Sequence, residues 1–230
     1  LWVIGSGNDI WSSQNGVNWN LETPHAAFSP RGDHQVVKHG DKLWLIGNSY
    51  SEHDVWTSED GVHWTEVTSA ANFAPRKNFP LVSHNGKLWV IGGQDDGYGR
   101  RNDVWSSEDG VNWTEETAAA EFSARREHQV VSHEGRLWLI GGDFGDSTKS
   151  DVWVSENGVD WEEIVTATEL SPRTGFQVVS HEGRLWFIAG QNSEDGNQND
   201  IWSSSDGVEW AQETPGAEFS ARHDFQSVSH

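Results

Sequence analysis

The chain lacks several residue types that would point to a chemical function. Its 230 residues contain no cysteine, which excludes a disulfide, a thiolate nucleophile and a thiolate metal site. No stretch approaches the ~20 consecutive apolar residues of a transmembrane helix, and no segment combines helical periodicity with helix caps. Basic residues are scarce, since 15 of them stand against 36 acidic residues and give a formal net charge of −21. We therefore expect no nucleic-acid partner and no insertion into a membrane.

Tryptophan, in contrast, is abundant and strictly periodic. The 15 tryptophans occupy three slots of a unit that recurs five times. These slots hold Trp2, Trp44, Trp89, Trp138 and Trp186 after leucine; Trp11, Trp56, Trp105, Trp153 and Trp202 after Asp-Val or Asp-Ile; and Trp19, Trp64, Trp113, Trp161 and Trp210 at the end of Gly-Val-x-Trp. Because none lies in a variable loop, we expect the indoles to pack between repeats rather than to stack on a sugar.

Each repeat predicts four short strands. In the third copy these are residues 88–93, 103–107, 111–115 and 128–132. An Asx-Gly dipeptide separates the second and third strands and predicts a tight hairpin. It occurs as Asn15-Gly16, Asp60-Gly61, Asp109-Gly110, Asn157-Gly158 and Asp206-Gly207. Four short antiparallel strands per unit are typical of a propeller blade, so the sequence predicts an all-β, five-bladed β-propeller.

The repeat resembles the kelch repeat along the whole chain. The resemblance is carried by Ser171-Pro172-Arg173, by Gly183-Arg184-Leu185-Trp186 and by the doublets Gly92-Gly93 and Gly141-Gly142. Kelch propellers usually have six or seven blades, so five repeats are a departure. The Ser-x-Asx-Gly-x-x-Trp run is also similar to the Asp-box of sialidase-type propellers. It lacks that motif's residue between Asp and Gly, and we interpret it as a hairpin. Neither resemblance fixes a function, because this fold carries many activities.

The positions of the repeats predict a closed ring. The units begin near residues 1, 43, 88, 137 and 185, so the chain starts at the second strand of a blade and ends after the first strand of another. We expect one domain over residues 1–230, with the C-terminal strand at 225–229 completing the N-terminal blade. Closure of this kind removes exposed sheet edges and favours a monomer. The alternative is a fragment of a longer array.

One arginine recurs in each repeat, before the strand that the kelch resemblance places around the central channel. These arginines are Arg31, Arg76, Arg125, Arg173 and Arg222. A guanidinium group suits carboxylates, so the ring either binds an anionic ligand or pairs with groups between the blades. His128 lies close by in sequence and is a second candidate, but no spacing of carboxylates predicts a metal site. The aspartates of the repeat, Asp9, Asp54, Asp103, Asp151 and Asp200, are expected to hydrogen-bond the loop backbone.

The loops on one predicted face differ in length between copies. They grow from three residues at 6–8 to ten at 93–102. Insertions confined to one face mark a binding face. We therefore add Tyr98, Arg100, Arg101 and Phe144 to the arginines and His128 as predicted ligand-binding residues. Solvated loops without a ligand are the alternative.

No catalytic motif is present, and the sequence favours a non-enzymatic module that needs no cofactor. Its predicted partner is a protein segment or a carbohydrate, including one with an anionic group. One alternative is a sugar-active kelch enzyme, such as a sialic-acid epimerase, for which Glu127, His128 and Asp224 are the residues to test. Another is a structural or engineered propeller, or a fragment, without a ligand. The absence of cysteine and methionine favours a secreted or cell-surface protein over a cytoplasmic one but does not determine the compartment.

Overall fold

The computed structural model describes residues 2–47, 53–145, 147–165 and 170–224, and within these ranges the regular structure is entirely β. Blade 1 holds β1 (Trp2–Ile4), β2 (Ile10–Ser12) and β3 (Asn20–Thr23); blade 2 holds β4 (Gln35–His39), β5 (Lys42–Ile46), β6 (Val55–Ser58) and β7 (Thr65–Thr68); blade 3 holds β8 (Arg76–Lys77), β9 (Leu81–His84), β10 (Lys87–Asp95), β11 (Arg100–Ser107) and β12 (Thr114–Thr117); blade 4 holds β13 (Gln129–His133), β14 (Arg136–Asp143), β15 (Thr148–Ser155) and β16 (Glu162–Ile164); blade 5 holds β17 (Gln177–His181), β18 (Arg184–Asn192), β19 (Gly196–Ser204) and β20 (Ala211–Thr214).

Neighbouring strands of a blade pair antiparallel in chain order. Blades 2, 4 and 5 are four-stranded sheets, and in blade 3 both β8 and β9 pair with β10. The described part of blade 1 has three strands. The predicted all-β propeller, with five blades of mainly four antiparallel strands, is confirmed. No helix long and apolar enough to cross a membrane occurs in the described ranges.

In blades 2 to 5, the strand that follows the repeat arginine is the innermost strand of its blade. Strand β4 contacts β9, β9 contacts β13, and β13 contacts β17 around the centre of the molecule. Successive side chains of such a strand point to opposite faces of the sheet. Val130 therefore packs against blade 3, whereas Val131 packs against blade 5.

The tryptophans form the packing between blades, as predicted. The third-slot indole lies edge-on against a connector aromatic, with ring centroids 5.0 Å apart for Phe73 and Trp113. The first-slot indole packs against the glycine of the next blade: a Cβ on Gly110 would lie 2.1 Å from Trp44. Each slot also has a common acceptor for the indole N–H, although the N–H of Trp138 in the first slot has no partner among the described residues. Trp113 donates to the Gly110 carbonyl at 3.0 Å, which fixes the ring in its interface.

The predicted tight hairpin is wrong. Strand β11 ends at Ser107 and β12 begins at Thr114, so Asp109-Gly110 lies in a six-residue loop, 108–113, and residues 111–113 are outside the strand. The Asp109 carboxylate accepts hydrogen bonds from the amides of Val111 and Asn112, at 2.9 and 2.8 Å. These bonds satisfy the loop backbone without strand pairing. They leave Trp113 free to turn into the core between blades.

The packing differs where blade 5 should meet blade 1. Trp19 is 37% exposed, whereas the third-slot tryptophans of the other blades are 4–6% exposed. Val3 is 47% exposed, whereas Leu45, Val90 and Leu139 in the same slot are fully buried. The predicted closing strand at 225–229 lies outside the described residues.

Candidate functional site

Four of the five repeat arginines are buried and fully paired. Arg125 donates from Nη1 and Nη2 to the two carboxylate oxygens of Asp151, both at 2.9 Å, and from Nη1 to the Gly141 carbonyl at 2.9 Å. Its Nε donates to the Ser123 carbonyl at 3.0 Å. Arg31, Arg76 and Arg173 make the same contacts with Asp54, Asp103 and Asp200. Each arginine therefore ties the chain entering a blade to the third strand of that blade, and we call this contact the arginine clasp.

The clasp corrects the expected role of the repeat aspartates. They were expected to bond the loop backbone, but four of them pair with arginine and also accept the second-slot indole N–H, as Asp103 does from Trp105 at 2.9 Å. Burial acts to raise the pKa of Asp103, but the bonds from Arg76 and Trp105 outweigh it and lower the pKa. The carboxylate is therefore ionised. Arg31, Arg76, Arg125 and Arg173 lie at 0–3% exposure, out of reach of a ligand on the surface, whereas Arg222 is exposed.

The predicted loop residues of blade 3 lie on an extended hairpin. Strands β10 and β11 pair as far as Gln94 and Arg100, and residues 95–99 form the tip. Tyr98 is 74% exposed at this tip, and its φ of 65° places it in the left-handed region. The Lys77 ammonium lies 5.8 Å from the centre of the Tyr98 ring. Arg101 pairs with Asp95 at 2.8 Å and keeps 43% of its side chain exposed.

An ion-pair network joins the hairpins of blades 3 and 4. Arg100 Nη2 and Arg126 Nε both donate to Oδ2 of Asp143, at 2.9 and 2.7 Å. Arg126 Nη1 also donates to Gln94 Oε1 at 2.7 Å. Burial opposes ionisation of Asp143, but Arg100, the Gly145 amide and Arg126 together lower its pKa. Gln94 and Arg126 were not among the predicted ligand-binding residues, because their contacts depend on how the two hairpins meet.

Phe144 and His128 were predicted as ligand contacts, and the structure places both in packed positions. The Phe144 ring is half-buried between Arg125 and Lys149, with its centre 4.3 and 4.6 Å from the two charges. His128 is 2% exposed and packs against Gly92 and Gly142, in the slot that holds phenylalanine in blades 3 and 5. Burial, and then the Arg125 charge, lower the His128 pKa well below its usual value, so the ring is neutral.

The channel mouth is formed by the residues that precede the innermost strands. Glu127 accepts a hydrogen bond from Asn78 at 3.3 Å and is half-buried. Burial raises the Glu127 pKa against the pull of Arg126, and Asp143 and Asp224 raise it further. In the part of the chain that the structure describes, no group of three or more histidine, aspartate or glutamate side chains could hold a metal ion. His128 is enclosed between blades, so it does not join Glu127 and Asp224 at the mouth.

The fold, the arginine clasps and the unequal loops on one face define a kelch-type propeller. The model of a family described as the KLHDC2/KLHL20/DRC7 Kelch-repeats domain matches residues 33–230, and the chain belongs to this family. A search of curated proteins finds no match. Kelch domains of this family are mostly protein-interaction modules, which agrees with the predicted binding role.

Proposed function

We propose that this chain is a non-enzymatic module that binds a protein segment on its loop face. We define the loop face as residues 94–101 at the end of the β10–β11 hairpin, the β14–β15 hairpin around Phe144, and the mouth residues 77–78 and 126–127. The observation that carries the proposal is the presentation of Tyr98. It is a large, exposed aromatic at the tip of the long blade 3 hairpin, beside the channel mouth.

The backbone around Tyr98 holds the ring outward. A non-glycine residue in the left-handed region costs of order 1 kcal/mol or more and persists only where its surroundings fix it. Here the Tyr98 amide donates to the Asp95 carbonyl at 3.0 Å, and Gln94 Nε2 donates to the Tyr98 carbonyl at 3.3 Å. A rigidly held tyrosine loses little conformational entropy on binding, which is why such residues dominate the energetics of many interfaces.

The charges near Tyr98 favour a partner with an acidic group. Among the described residues no carboxylate forms an ion pair with Lys77, and Arg101 remains partly exposed despite its pair with Asp95. These cations stand on a protein of net charge −21. They therefore offer an acidic segment two cations to pair with, on a tip that also carries Asp95 and Asp96.

The test is to pan a random-peptide phage library against the whole chain and to measure binding of the selected peptides. We expect Tyr98→Ala to weaken binding by tenfold or more, and Lys77→Gln to weaken it mainly at low salt. Val17→Ala, an exposed change on the Asx-Gly loop of blade 1, is the matched control and should have no effect. Peptides that bind Tyr98→Ala and Lys77→Gln as tightly as the parent chain would refute the proposal.

A carbohydrate is the second candidate partner, because the exposed Tyr98 face also suits stacking on a sugar ring. The same variants on a glycan array separate the two. Binding of a neutral glycan that depends on Tyr98 but not on Lys77 or salt would favour the carbohydrate.

A further inference from the structure

One face of the blade 3 hairpin collects three polar side chains beside the channel mouth. Gln94 pairs directly with Lys77 of β8 on one side and with Arg100 of β11 on the other. Directly paired residues project from the same face of a sheet, and the next residue along a strand projects from the opposite face. Lys77, Gln94 and Arg100 therefore share one face, whereas Arg101 projects from the other. Arg126 of blade 4 contacts the shared face through Gln94.

Arg126 extends this face with a guanidinium group whose position is fixed. Its Nε donates to Asp143 Oδ2 and its Nη1 to Gln94 Oε1, both at 2.7 Å. Its Nη2 has no acceptor among the described residues, and the side chain is 28% exposed. A guanidinium group carries five N–H donors. Arg126 therefore keeps donors for an anion next to the half-buried Lys77.

Glu127 is a competitor for this guanidinium group within the chain itself. Arg100 and Arg126 share a single carboxylate, that of Asp143. Glu127 follows Arg126 in sequence, and its Oε1 lies 3.6 Å from Arg126 Nε. The two charges attract each other at this distance without a direct hydrogen bond. A partner carboxylate bound to Arg126 would add a further negative charge beside Glu127 and Asp143.

The backbone of Glu127 is fixed at the mouth. Its φ of 57° lies in the left-handed region, and its amide donates to the Asn78 carbonyl at 3.0 Å. Asn78 Nδ2 also donates to Glu127 Oε1 at 3.3 Å. Because these contacts hold the residue in place, Glu127 relieves repulsion by a second anion through uptake of a proton.

The groups that face Glu127 come from neighbouring segments of the chain, and they are Asn78, Arg126, Asp143, Thr174 and Asp224. Burial is the largest influence on the Glu127 pKa and raises it, and the charges of Asp143 and Asp224 raise it further. The Arg126 charge and a hydrogen bond from Thr174 oppose this rise without cancelling it. Glu127 therefore takes up a proton at a higher pH than an exposed glutamate does.

We propose that Glu127 competes with the acidic group of the partner for Arg126, at a subsite that Arg126 forms with Lys77. This inference rests on the proposed binding of an acidic segment beside Tyr98. When the partner's carboxylate binds the guanidinium group, Glu127 takes up a proton from solvent. Binding therefore strengthens as pH falls from 7 towards 5. It weakens again near pH ~4, where the partner's own carboxylate is protonated.

The test measures the affinity of acidic, histidine-free peptides from the phage selection by titration calorimetry at pH 7.5 and 5.5. The parent chain should bind at least threefold more tightly at pH 5.5. Glu127→Gln should bind at least threefold more tightly than the parent at pH 7.5 and equally well at both pH values. Arg126→Gln should weaken binding about tenfold. The matched control is Glu134→Gln, which removes the same charge from an exposed turn at the other end of β13 and should have no effect.

Two further readouts separate competition from a general effect of charge. Titrations in buffers of different ionisation enthalpy should show proton uptake on binding to the parent chain and less uptake on binding to Glu127→Gln. Peptides whose acidic residue is replaced by its amide should bind the parent chain and Glu127→Gln equally. Tryptophan fluorescence of each variant reports that the propeller has folded.

The outcomes also distinguish this inference from the proposed function. If the peptides depend on Tyr98 but bind Glu127→Gln no more tightly than the parent chain, the competition is overturned and the binding of a protein segment stands. A pH dependence that persists in Glu127→Gln would likewise overturn the competition. A selection that yields no acidic peptide, or only peptides indifferent to Tyr98→Ala, would overturn both.

Discussion

Removing one buried guanidinium should destabilise the whole propeller. Arg125→Ala would leave the Asp151 carboxylate in a buried site with the Trp153 indole N–H, at 2.8 Å, as its remaining charge-stabilising bond. Breaking a buried ion pair from one side costs about 3–5 kcal/mol, because the partner charge stays desolvated. The Gly141 and Ser123 carbonyls would lose their donor as well. We therefore expect the free energy of unfolding to fall by about 3–5 kcal/mol, measured by urea titration with tryptophan fluorescence.

A neighbouring residue gives the matched control. Arg126 carries the same charge one position later, and its side chain is 28% exposed. Exposed and partly exposed ion pairs contribute about 0–1 kcal/mol, so Arg126→Ala should change stability little. Replacing the pair together, as Arg125→Met with Asp151→Leu, should recover part of the loss, because no unpaired charge remains although the Gly141 and Ser123 carbonyls still lack their donor. If Arg125→Ala kept near-parent stability but lost peptide binding, this reasoning would be refuted. The arginine would then be assigned to ligand binding.

Further predictions concern single positions in the blades. As pH falls from 7 to 5, His128→Phe should become more stable relative to the parent chain. Burial lowers the pKa of His128 in the folded state, so the stability contributed by its neutral ring is present above the unfolded pKa of ~6.5 and is lost below it. Urea midpoints across this range test it, and parallel curves for parent and variant would contradict it. Gly110→Ala should cost more than Gly86→Ala; both glycines have positive φ, at 69° and 74°, but only the Cβ on Gly110 meets an indole. Equal melting temperatures for the two variants would show that the Trp44 indole moves to accommodate the added Cβ. Asp109→Ala should lose about 1 kcal/mol of loop hydrogen bonding, whereas Asp109→Asn, the residue of blades 1 and 4, should lose little; thermal unfolding distinguishes them, and equal losses would assign the effect to charge.

The architecture could be predicted because every copy of the repeat carries the same sequence features. A strand period of two, an Asx-Gly turn and three tryptophan slots recur five times, so each copy supports the others. The arginine clasp could also have been predicted from the sequence. Its arginine and aspartate recur together, 23–27 residues apart, and two opposite charges repeated at fixed slots are a signal for pairing. The arginines were instead assigned to a ligand or to contacts between blades, and the aspartates to the loop backbone.

The loop contacts could not be predicted, because they do not repeat. Arg100 and Arg126 meet at Asp143 only through the relative position of two hairpins of different length. The tight hairpin at Asx-Gly was wrongly predicted for a different reason. A tight hairpin and a six-residue loop share the same dipeptide, and the choice depends on whether Trp113 must reach the neighbouring blade, which is a tertiary requirement.

The arginine clasp has a consequence for how such a protein can be modified. A clasp joins neighbouring blades, because the backbone of Arg125 pairs with Arg101 and Gly93 of blade 3 whereas its guanidinium binds Asp151 of blade 4. The contacts between blades also use the same indole and glycine each time, so one blade could take the place of another. Blades could be shuffled, duplicated or grafted into a related ring, provided that the following blade supplies the aspartate of the clasp. The hairpin that carries Tyr98 would travel with its blade, so recognition could be moved between scaffolds without rebuilding the core.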